Sequence, residues 1–166
     1  MPGIVGLITK RPRQWAEPQL LRMVAALRHE PFYRVGTWID ESLGVYAGWT
    51  VIEDSFADGM PLHDRNRDLT LIFSGEEYGH RNTAAEGDES QAAFLLRLAS
   101  NDHSFPSRLD GLFHGLLVDP ITGSITLFND RYGMHRLCYH ESEGAFYFAA
   151  ESKAVRTGGG GRWSVF

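Results

Sequence analysis

Two short stretches of the sequence have residue types suited to chemistry at a carbonyl group. Ser74 and Gly75 follow the apolar run 69–73, and a glycine at the end of a strand allows backbone N–H groups to point at an anion or an oxyanion. The other stretch is the start of the chain, where residues 3–9 predict a buried strand. A terminal amine there can act as a base beside a nucleophilic Cys, Ser or Thr. This sequence has Pro2 instead.

Other catalytic and metal-binding motifs are absent from the sequence. It contains no phosphate-binding loop, no His-Glu-x-x-His, no Gly-x-Ser-x-Gly elbow and no dinucleotide fingerprint. The seven histidines lack the paired spacing that places two ligands on one helix face, so no metal site is predicted. Cys138, in a strand-like alternation, is expected to be a small packing residue rather than an activated thiolate.

Composition limits the classes of protein and partner. The 166 residues are 43% hydrophobic and 22% charged, which is typical of one globular domain with a buried core. The net charge of -5 offers no cationic field for a phosphate backbone, so we expect no nucleic-acid partner. No apolar run approaches the roughly 18 residues that span a bilayer, and the start lacks the pattern of a signal peptide. We therefore expect no membrane insertion and a cytoplasmic location.

Hydrophobic periodicity predicts the elements that position these residues. Apolar side chains at three- and four-residue spacing predict a helix over 17–28, and residues 88–91 have the spacing of a capping box before a second helix that begins near Asp88. Runs rich in β-branched and aromatic residues, separated by turn residues, predict strands. These runs are 37–39, 43–46, 69–73, 112–118, 125–128, 137–139 and 146–148.

The order of these elements predicts the fold class and the domain boundary. Helices fall between groups of strands without a regular βαβ alternation, which favours an α+β fold with antiparallel sheets. The four consecutive glycines at 158–161 have large backbone freedom. We therefore place a domain at 1–155 and expect 156–166 to be a flexible Gly-rich tail or linker.

Five motifs along the chain resemble those of one enzyme family. Residues 1–6 (Met-Pro-Gly-Ile-Val-Gly) resemble the Met-Cys-Gly-Ile-x-Gly start of class II glutamine amidotransferases, and residues 71–78 resemble their Phe-Asn-Gly-Glu-Ile-Tyr segment. Residues 108–113, 129–133 and 148–154 are similar to the Arg-Leu-Asp-Gly-Met-Phe, Arg-Asp-Arg-Phe-Gly and Phe-Ala-Ser-Glu-x-Lys-Ala signatures of the asparagine synthetase branch. The motifs occur in the family's order.

The resemblance implies a fold and a set of partners. It implies the N-terminal nucleophile hydrolase fold, an αββα sandwich of two antiparallel sheets between helices, in agreement with the α+β class. In asparagine synthetases an ATP-binding synthetase domain follows, and its Ser-Gly-Gly-x-Asp-Ser loop is absent from this sequence. We therefore expect no cofactor in this domain, with ATP and Mg²⁺ required only where a synthetase domain or subunit is attached as partner.

The sequence departs from the family at the positions that carry its chemistry. In the family, the Cys after the removed Met attacks the side-chain amide of glutamine and releases ammonia through a thioester. Pro2 stands there and has no side-chain heteroatom. Ser74 matches the Asn that forms the oxyanion hole with the next glycine, here Gly75, and loss of one such donor costs about 3–4 kcal/mol.

The resemblance also assigns the residues that bind glutamine. The arginine that binds the substrate carboxylate falls at Trp49 by an ungapped match, and the aspartate that binds the amine falls at Gln91. An indole cannot make the bidentate, charge-assisted pair of an arginine with a carboxylate, and Gln91 carries no compensating charge. Gly75 and Glu76 match the family, whereas His29-Glu30-Pro31 alters the loop that covers the pocket.

These departures predict a degenerate, catalytically inactive glutaminase-like domain of an asparagine synthetase-related protein, acting as a structural or interaction module. One alternative is the glutamine-hydrolysing part of an asparagine synthetase that supplies ammonia to an ATP-dependent synthetase domain. In another, hydrolysis persists with Ser74 as nucleophile or the amine of Pro2 as base. A further alternative is a pocket lined by Trp49, Glu76 and Gln91 that binds a small amino-acid-like ligand without chemistry.

Overall fold

The computed structural model describes residues 2–64, 66–79, 89–101 and 104–166. The chain divides into two compact units. The first unit comprises Met1–Gly59 and Arg136–Phe166, and the second comprises Met60–His135. The first unit is therefore built from both ends of the chain.

The first unit contains a six-stranded antiparallel sheet. Its strands are β1 (Gly3–Thr9), β2 (Tyr33–Asp40), β3 (Val45–Ile52), β8 (Cys138–Ser142), β9 (Ala145–Ala149) and β10 (Ser164–Val165). They lie in the order β10-β8-β9-β1-β3-β2, so β1 is a central strand with a neighbour on each side. A 3₁₀ turn at Phe56–Gly59 ends the first segment of this unit.

Two helices pack on the sheet of the first unit, namely α1 (Arg13–Leu27) and α3 (Ser152–Gly158). Their apolar side chains share one core with β1, β3 and β9, in which every member is nearly or fully buried. This core includes Val5, Leu7, Leu20, Met23, Leu27, Tyr46, Tyr147, Ala149, Ala154 and Val155. The burial of apolar surface against α1 holds the sheet in place.

The helix α1 begins four residues before the predicted start at residue 17. The carbonyl of Pro12 accepts hydrogen bonds from the amides of Trp15 and Ala16, and Arg13 pairs with Glu17 at 2.7 Å. These contacts form an additional first turn, so Pro18 lies inside the helix rather than at its start. The predicted end near residue 28 agrees with the observed end at Leu27.

The second unit contains a four-stranded antiparallel sheet in the order β4-β5-β6-β7. The strands are β4 (Leu62–Asp64), β5 (Leu69–Glu77), β6 (Gly111–Asp119) and β7 (Ser124–Asn129). The described part of this unit also contains the helix α2 (Gln91–Asn101). The hydroxyl of Ser90 accepts a hydrogen bond from the amide of Ala93 at 3.2 Å, which is the contact of an N-cap. The capping role predicted for Asp88 lies outside the described residues.

The α+β class is confirmed, with two antiparallel sheets and three α-helices in the described part of the chain. Residues 156–166, expected to form a flexible tail, instead complete α3 and contribute β10, which pairs with β8. In the ranges that the structure covers, no helix has the length and apolar character needed to cross a membrane.

Candidate functional site

Pro2 directly precedes β1, and Trp49 lies on the neighbouring strand β3 of the first unit. Pro2 is half-buried and precedes β1, whose first residue, Gly3, donates its amide hydrogen to the hydroxyl of Thr50 at 3.3 Å. Ile4, two residues after Pro2, is the cross-strand partner of Trp49 on β3. Pro2 and Trp49, the positions that the resemblance assigns to the nucleophile and to carboxylate binding, thus lie at the same end of the β1–β3 pair.

The side chain of Trp49 fills space that Gly36 leaves open. Gly36 is the partner of Trp49 on β2, and a Cβ atom at residue 36 would lie 2.3 Å from the indole ring. Trp49 is only 6% exposed. The indole therefore presents a buried apolar surface where an arginine would present a cation.

Three polar side chains fix the loop after α1, a contact that the sequence did not predict. His29 Nε2 lies 2.7 Å from Glu151 Oε1, and Lys153 Nζ lies 2.5 Å from His29 Nδ1. Lys153 Nζ also lies 2.9 Å from His29 Nε2, so the ammonium contacts both ring nitrogens. This cluster ties residue 29 to the start of α3, so the loop equivalent to the family's pocket cover is anchored.

In the second unit, Gly75 occupies a backbone conformation that requires glycine. Its φ angle is +121°, and an added Cβ would lie 2.2 Å from the carbonyl oxygen of Leu112. Ser74, immediately before it on β5, is buried at 5% exposure. The close approach of β5 and β6 at this point therefore depends on the absence of a side chain.

The hydrogen-bond ladder directs the amide of Gly75 away from β6. The amide of Tyr78 donates to the carbonyl of Asp110. Hydrogen-bonded pairs alternate along an antiparallel ladder, so residues 76 and 74 of β5 also form hydrogen-bonded pairs with β6. Gly75 falls between these pairs, and β4 opposes only residues 69–71 of β5. Among the strands that the structure describes, none pairs with this part of the β5 edge, so the amide of Gly75 faces away from β6 and can donate to a carbonyl oxygen.

His114 is the buried neighbour of Ser74 that sequence reasoning missed. The two residues are direct partners across β5 and β6, so their side chains lie on the same face of the sheet. Within the described residues, neither ring nitrogen of His114 has a hydrogen-bond partner. Burial, with a smaller contribution from nearby His135, lowers the pKa of His114 to about 3, so the imidazole is neutral at physiological pH.

The remaining two predicted site residues lie in the second unit on separate elements. Glu76 is exposed on β5, and Gln91 is the half-buried first residue of α2. The neighbouring Glu77 is buried, and its Oε1 accepts the amide hydrogen of Gly79 at 2.8 Å. The structure therefore places Ser74, Gly75 and Glu76 together on one strand, with Gln91 at a helix start.

The motif at residues 129–133 contains a turn, in which the amide of Gly133 donates to the carbonyl of Asp130 at 2.9 Å. The buried carboxylate of Asp130 accepts hydrogen bonds from the amides of His135 at 2.7 Å, Met134 at 3.0 Å and Tyr132 at 3.1 Å. Burial by itself raises the pKa of Asp130, but these amide donors outweigh it and the net pKa is lowered. The turn leaves Tyr132 and Met134 exposed at 79% and 65%.

Among the side chains that the structure describes, no group of three or more His, Cys, Asp or Glu residues is arranged to hold a metal ion. Acceptor and donor groups at Ser74, Gly75 and His114 are uncharged. An uncharged donor such as the amide of Gly75 can form a hydrogen bond to a carbonyl oxygen or an anion.

Comparisons with known proteins give one family and a set of similar folds. A family model described as "Glutamine amidotransferase domain" matches residues 1–162. The solved glutamine phosphoribosylpyrophosphate amidotransferase from B. subtilis, complexed with ADP and GMP, superposes with a TM-score of 0.70 at 14% identity. A structure described as the allosteric regulatory enzyme of purine biosynthesis superposes with a TM-score of 0.66 at 15% identity.

Both superpositions cover 99% of this chain and 44% of the solved chain. The chain thus spans less than half the length of these structural relatives, and at these identities the likeness concerns the fold. Among curated protein sequences, none matches the chain significantly.

Proposed function

The chain belongs to the class II glutamine amidotransferase domain family, and we propose that it is an inactive member that no longer hydrolyses glutamine. The observation that carries this proposal is Pro2. Covalent glutaminase chemistry in the family needs a thiol at this position, and a pyrrolidine ring supplies no side-chain nucleophile. The half-buried ring precedes the central strand β1, so the same anchored position holds a residue without the required group.

The proposed loss of activity also involves the positions that bind the substrate. At Trp49 the buried indole packs over Gly36, and at Gln91 a neutral amide replaces the carboxylate that the resemblance implies. A substrate carboxylate or ammonium left without a charged partner in a buried site costs about 1–3 kcal/mol for each group. These two positions support loss of glutamine affinity in addition to loss of the nucleophile.

We further propose that the domain acts as a structural or interaction module of an asparagine synthetase-related protein, with a synthetase domain or subunit as partner. The turn held by Asp130 supports this role, because it is rigid and presents exposed apolar side chains at Tyr132 and Met134. Exposed apolar groups on a fixed turn are typical of protein interaction surfaces.

The alternative is a working glutaminase half of an asparagine synthetase that supplies ammonia. Gly75 favours this alternative, since its φ angle of +121° and outward amide keep one donor of an oxyanion hole. The short hydroxyl of Ser74 replaces the other donor. One experiment separates the two functions.

We expect purified native protein to release no ammonia from glutamine above the rate of a heat-inactivated control. We also expect Pro2→Cys to remain at that rate, because Trp49 and Gln91 still lack the charges that bind glutamine. A coupled ammonia assay measures both, with mass spectrometry to establish that residue 2 is the terminal residue. Pro2→Ala is the matched control for the substitution itself.

Steady ammonia release by the native chain, or covalent labelling of residue 2 or Ser74 by a diazoketone analogue of glutamine, contradicts the inactive assignment. Substantial turnover in Pro2→Cys alone contradicts the proposal that Trp49 and Gln91 no longer bind the carboxylate and the ammonium of glutamine. Turnover that appears only when Trp49→Arg and Gln91→Asp are combined with Pro2→Cys supports all three assignments.

A further inference from the structure

A pocket of about 300 Å³ lies at the edge of the first unit's sheet, on the side of β8 and β10. Its lining residues are Tyr139, His140, Glu141, Arg162 and Ser164. The volume is at the lower end of the range for ligand sites, which fits a small compound rather than a nucleotide. None of these residues was assigned a role by the sequence.

The glycine run that precedes Arg162 passes very close to β8 and β9. A Cβ atom at Gly159 would lie 2.7 Å from the ring of Tyr147, and one at Gly161 would lie 3.0 Å from the ring of His140. Gly161 also has a φ angle of +86°. The run of glycines therefore allows a close crossing that other residues would block.

Hydrogen bonds then fix the segment after the crossing. His140 Nδ1 lies 2.6 Å from the carbonyl oxygen of Arg162, and the amide of Phe166 donates to the carbonyl of Leu137 at 3.0 Å. Between these two anchors Ser164 pairs with Tyr139 across β10 and β8. The backbone positions of residues 162–166 relative to β8 are thus determined at three points.

Three polar side chains of the pocket share one face of the sheet. Tyr139 and Glu141 are two residues apart on β8, and Ser164 is the direct partner of Tyr139. The ring of Tyr139 packs beside the rings of Phe166 and Phe146, with centroid distances of 4.6 Å and 5.7 Å. The pocket therefore combines an aromatic surface with hydroxyl groups.

Opposite charges at the pocket are not paired with each other. The carboxylate of Glu141 and the guanidinium of Arg162 both line it, and neither makes an ion pair or a side-chain hydrogen bond to any residue in the described ranges. The side-chain hydroxyls of Tyr139 and Ser164 likewise have no hydrogen bond within those ranges. One cation, one anion and two hydroxyls are therefore available to a ligand at one place.

We propose that this pocket binds small zwitterions of the α-amino-acid type with an apolar or aromatic side chain. Arg162 and Ser164 bind the carboxylate, Glu141 binds the ammonium, and the ring of Tyr139 contacts the side chain. This proposal concerns residues of the first unit that are separate from Pro2 and Trp49, so it does not depend on the inactive assignment.

Isothermal titration calorimetry of the full chain tests the proposal with three related compounds. We expect L-phenylalanine to bind with a dissociation constant on the order of 1 mM, because the charged groups of the site are exposed. N-acetyl-L-phenylalanine lacks the ammonium and L-phenylalaninamide lacks the carboxylate. We expect each to bind at least about tenfold more weakly, since one charge-assisted hydrogen bond is lost.

Two variants give a crossed pattern that a structural effect would not produce. With Glu141→Gln, L-phenylalanine and its N-acetyl derivative should bind equally weakly, while discrimination against the amide persists. With Arg162→Gln, the free amino acid and the amide should become equal, while discrimination against the N-acetyl compound persists. Glu143→Gln and Arg156→Gln, exposed side chains outside the pocket, are the matched controls and should leave all three affinities unchanged.

Absence of saturable binding of L-phenylalanine by the native chain overturns the proposal, as does equal binding of all three compounds. Loss of binding in the two control variants also overturns it. Thermal unfolding of each variant without ligand establishes that it is folded, and Ser164→Ala provides a milder substitution if Arg162→Gln is not. Ammonia release plays no part in these outcomes, so they are distinguishable from those that test the inactive assignment.

Discussion

At the scale of single residues, His114 is the group whose environment has the clearest energetic consequence. Its imidazole is 3% exposed and has no hydrogen-bond partner among the described residues. A neutral ring still carries one donor and one acceptor, and an unpaired buried polar group costs about 1–3 kcal/mol. Protonation in this place is less favourable still, and that lowers the pKa to about 3.

This lowered pKa predicts a loss of stability in mild acid. Below the ordinary histidine pKa of about 6.5 the unfolded chain binds a proton at residue 114, whereas the folded chain does so only near pH 3. The free energy of unfolding should therefore fall as the pH decreases through this window. Between pH 7 and pH 5 we expect about 2 kcal/mol from this group. Urea unfolding at several pH values measures it.

The contribution of His114 is isolated by comparison with His114→Leu. This variant should show a flatter pH dependence below pH 6.5 and an equal or higher stability at pH 7.5, because it has no buried unpaired nitrogen. His63→Gln, at an exposed residue of β4, is the matched control. Identical pH profiles for the native chain and His114→Leu would contradict the prediction.

At the scale of elements, a buried hydrogen-bond chain joins α1 to β9. The hydroxyl of Tyr147 donates to Gln19 Oε1 at 2.7 Å, and Gln19 Nε2 donates to the carbonyl of Trp15 at 3.1 Å. Both Gln19 and Tyr147 are buried. Because each polar group satisfies the next, the chain fixes the position of the helix on the sheet.

Breaking this chain at one end should destabilise the first unit. Tyr147→Phe leaves the oxygen of Gln19 buried without its donor, and we expect a loss of about 1–3 kcal/mol in the free energy of unfolding. Denaturant unfolding measures the change. The same substitution at exposed Tyr132 is the control, and we expect it to have an effect below about 0.5 kcal/mol.

A double-mutant cycle distinguishes the hydrogen bond from packing. Gln19→Leu combined with Tyr147→Phe removes both polar partners, so the pair should cost less than the sum of the two single substitutions. Additive losses would show that the two side chains contribute independently, against the buried chain of hydrogen bonds.

At the scale of the whole molecule, the thiol of Cys138 reports the opening of the first unit. Cys138 lies on β8 between Ala149 of β9 and Val165 of β10, and it is 7% exposed. Burial raises the pKa of this thiol, which reduces the reactive thiolate. Both strands come from the last third of the chain, and β9 also pairs with β1 near the beginning of the chain.

We therefore expect alkylation of Cys138 by iodoacetamide at pH 8 to be at least about tenfold slower in native buffer than in denaturant. Mass spectrometry follows the labelling over time. Thr122→Cys in a Cys138→Ala background places a thiol on an exposed turn and should react at the unfolded rate under both conditions. If Cys138 were labelled as rapidly in native buffer as in denaturant, this would contradict its burial between β9 and β10.

The sequence by itself determined the type of most elements, because periodicity and turn chemistry are local. Residues 3–9 form the strand that their β-branched run predicts, and the hairpin runs predicted to begin at residues 112 and 137 correspond to observed strand pairs. The departure of Pro2 and Trp49 from the family pattern is also readable without coordinates. Fold class and the proposal of an inactive site follow from these local facts.

Only the tertiary structure decided how the strands associate. The hairpin β6–β7 belongs to the second unit, whereas the next hairpin, β8–β9, belongs to the sheet of β1, and nothing local distinguishes the two. The same non-local pairing places His114 opposite Ser74 and folds Gly159 against Tyr147. Register and close backbone approach depend on residues far apart in the chain, so a linear pattern cannot specify them.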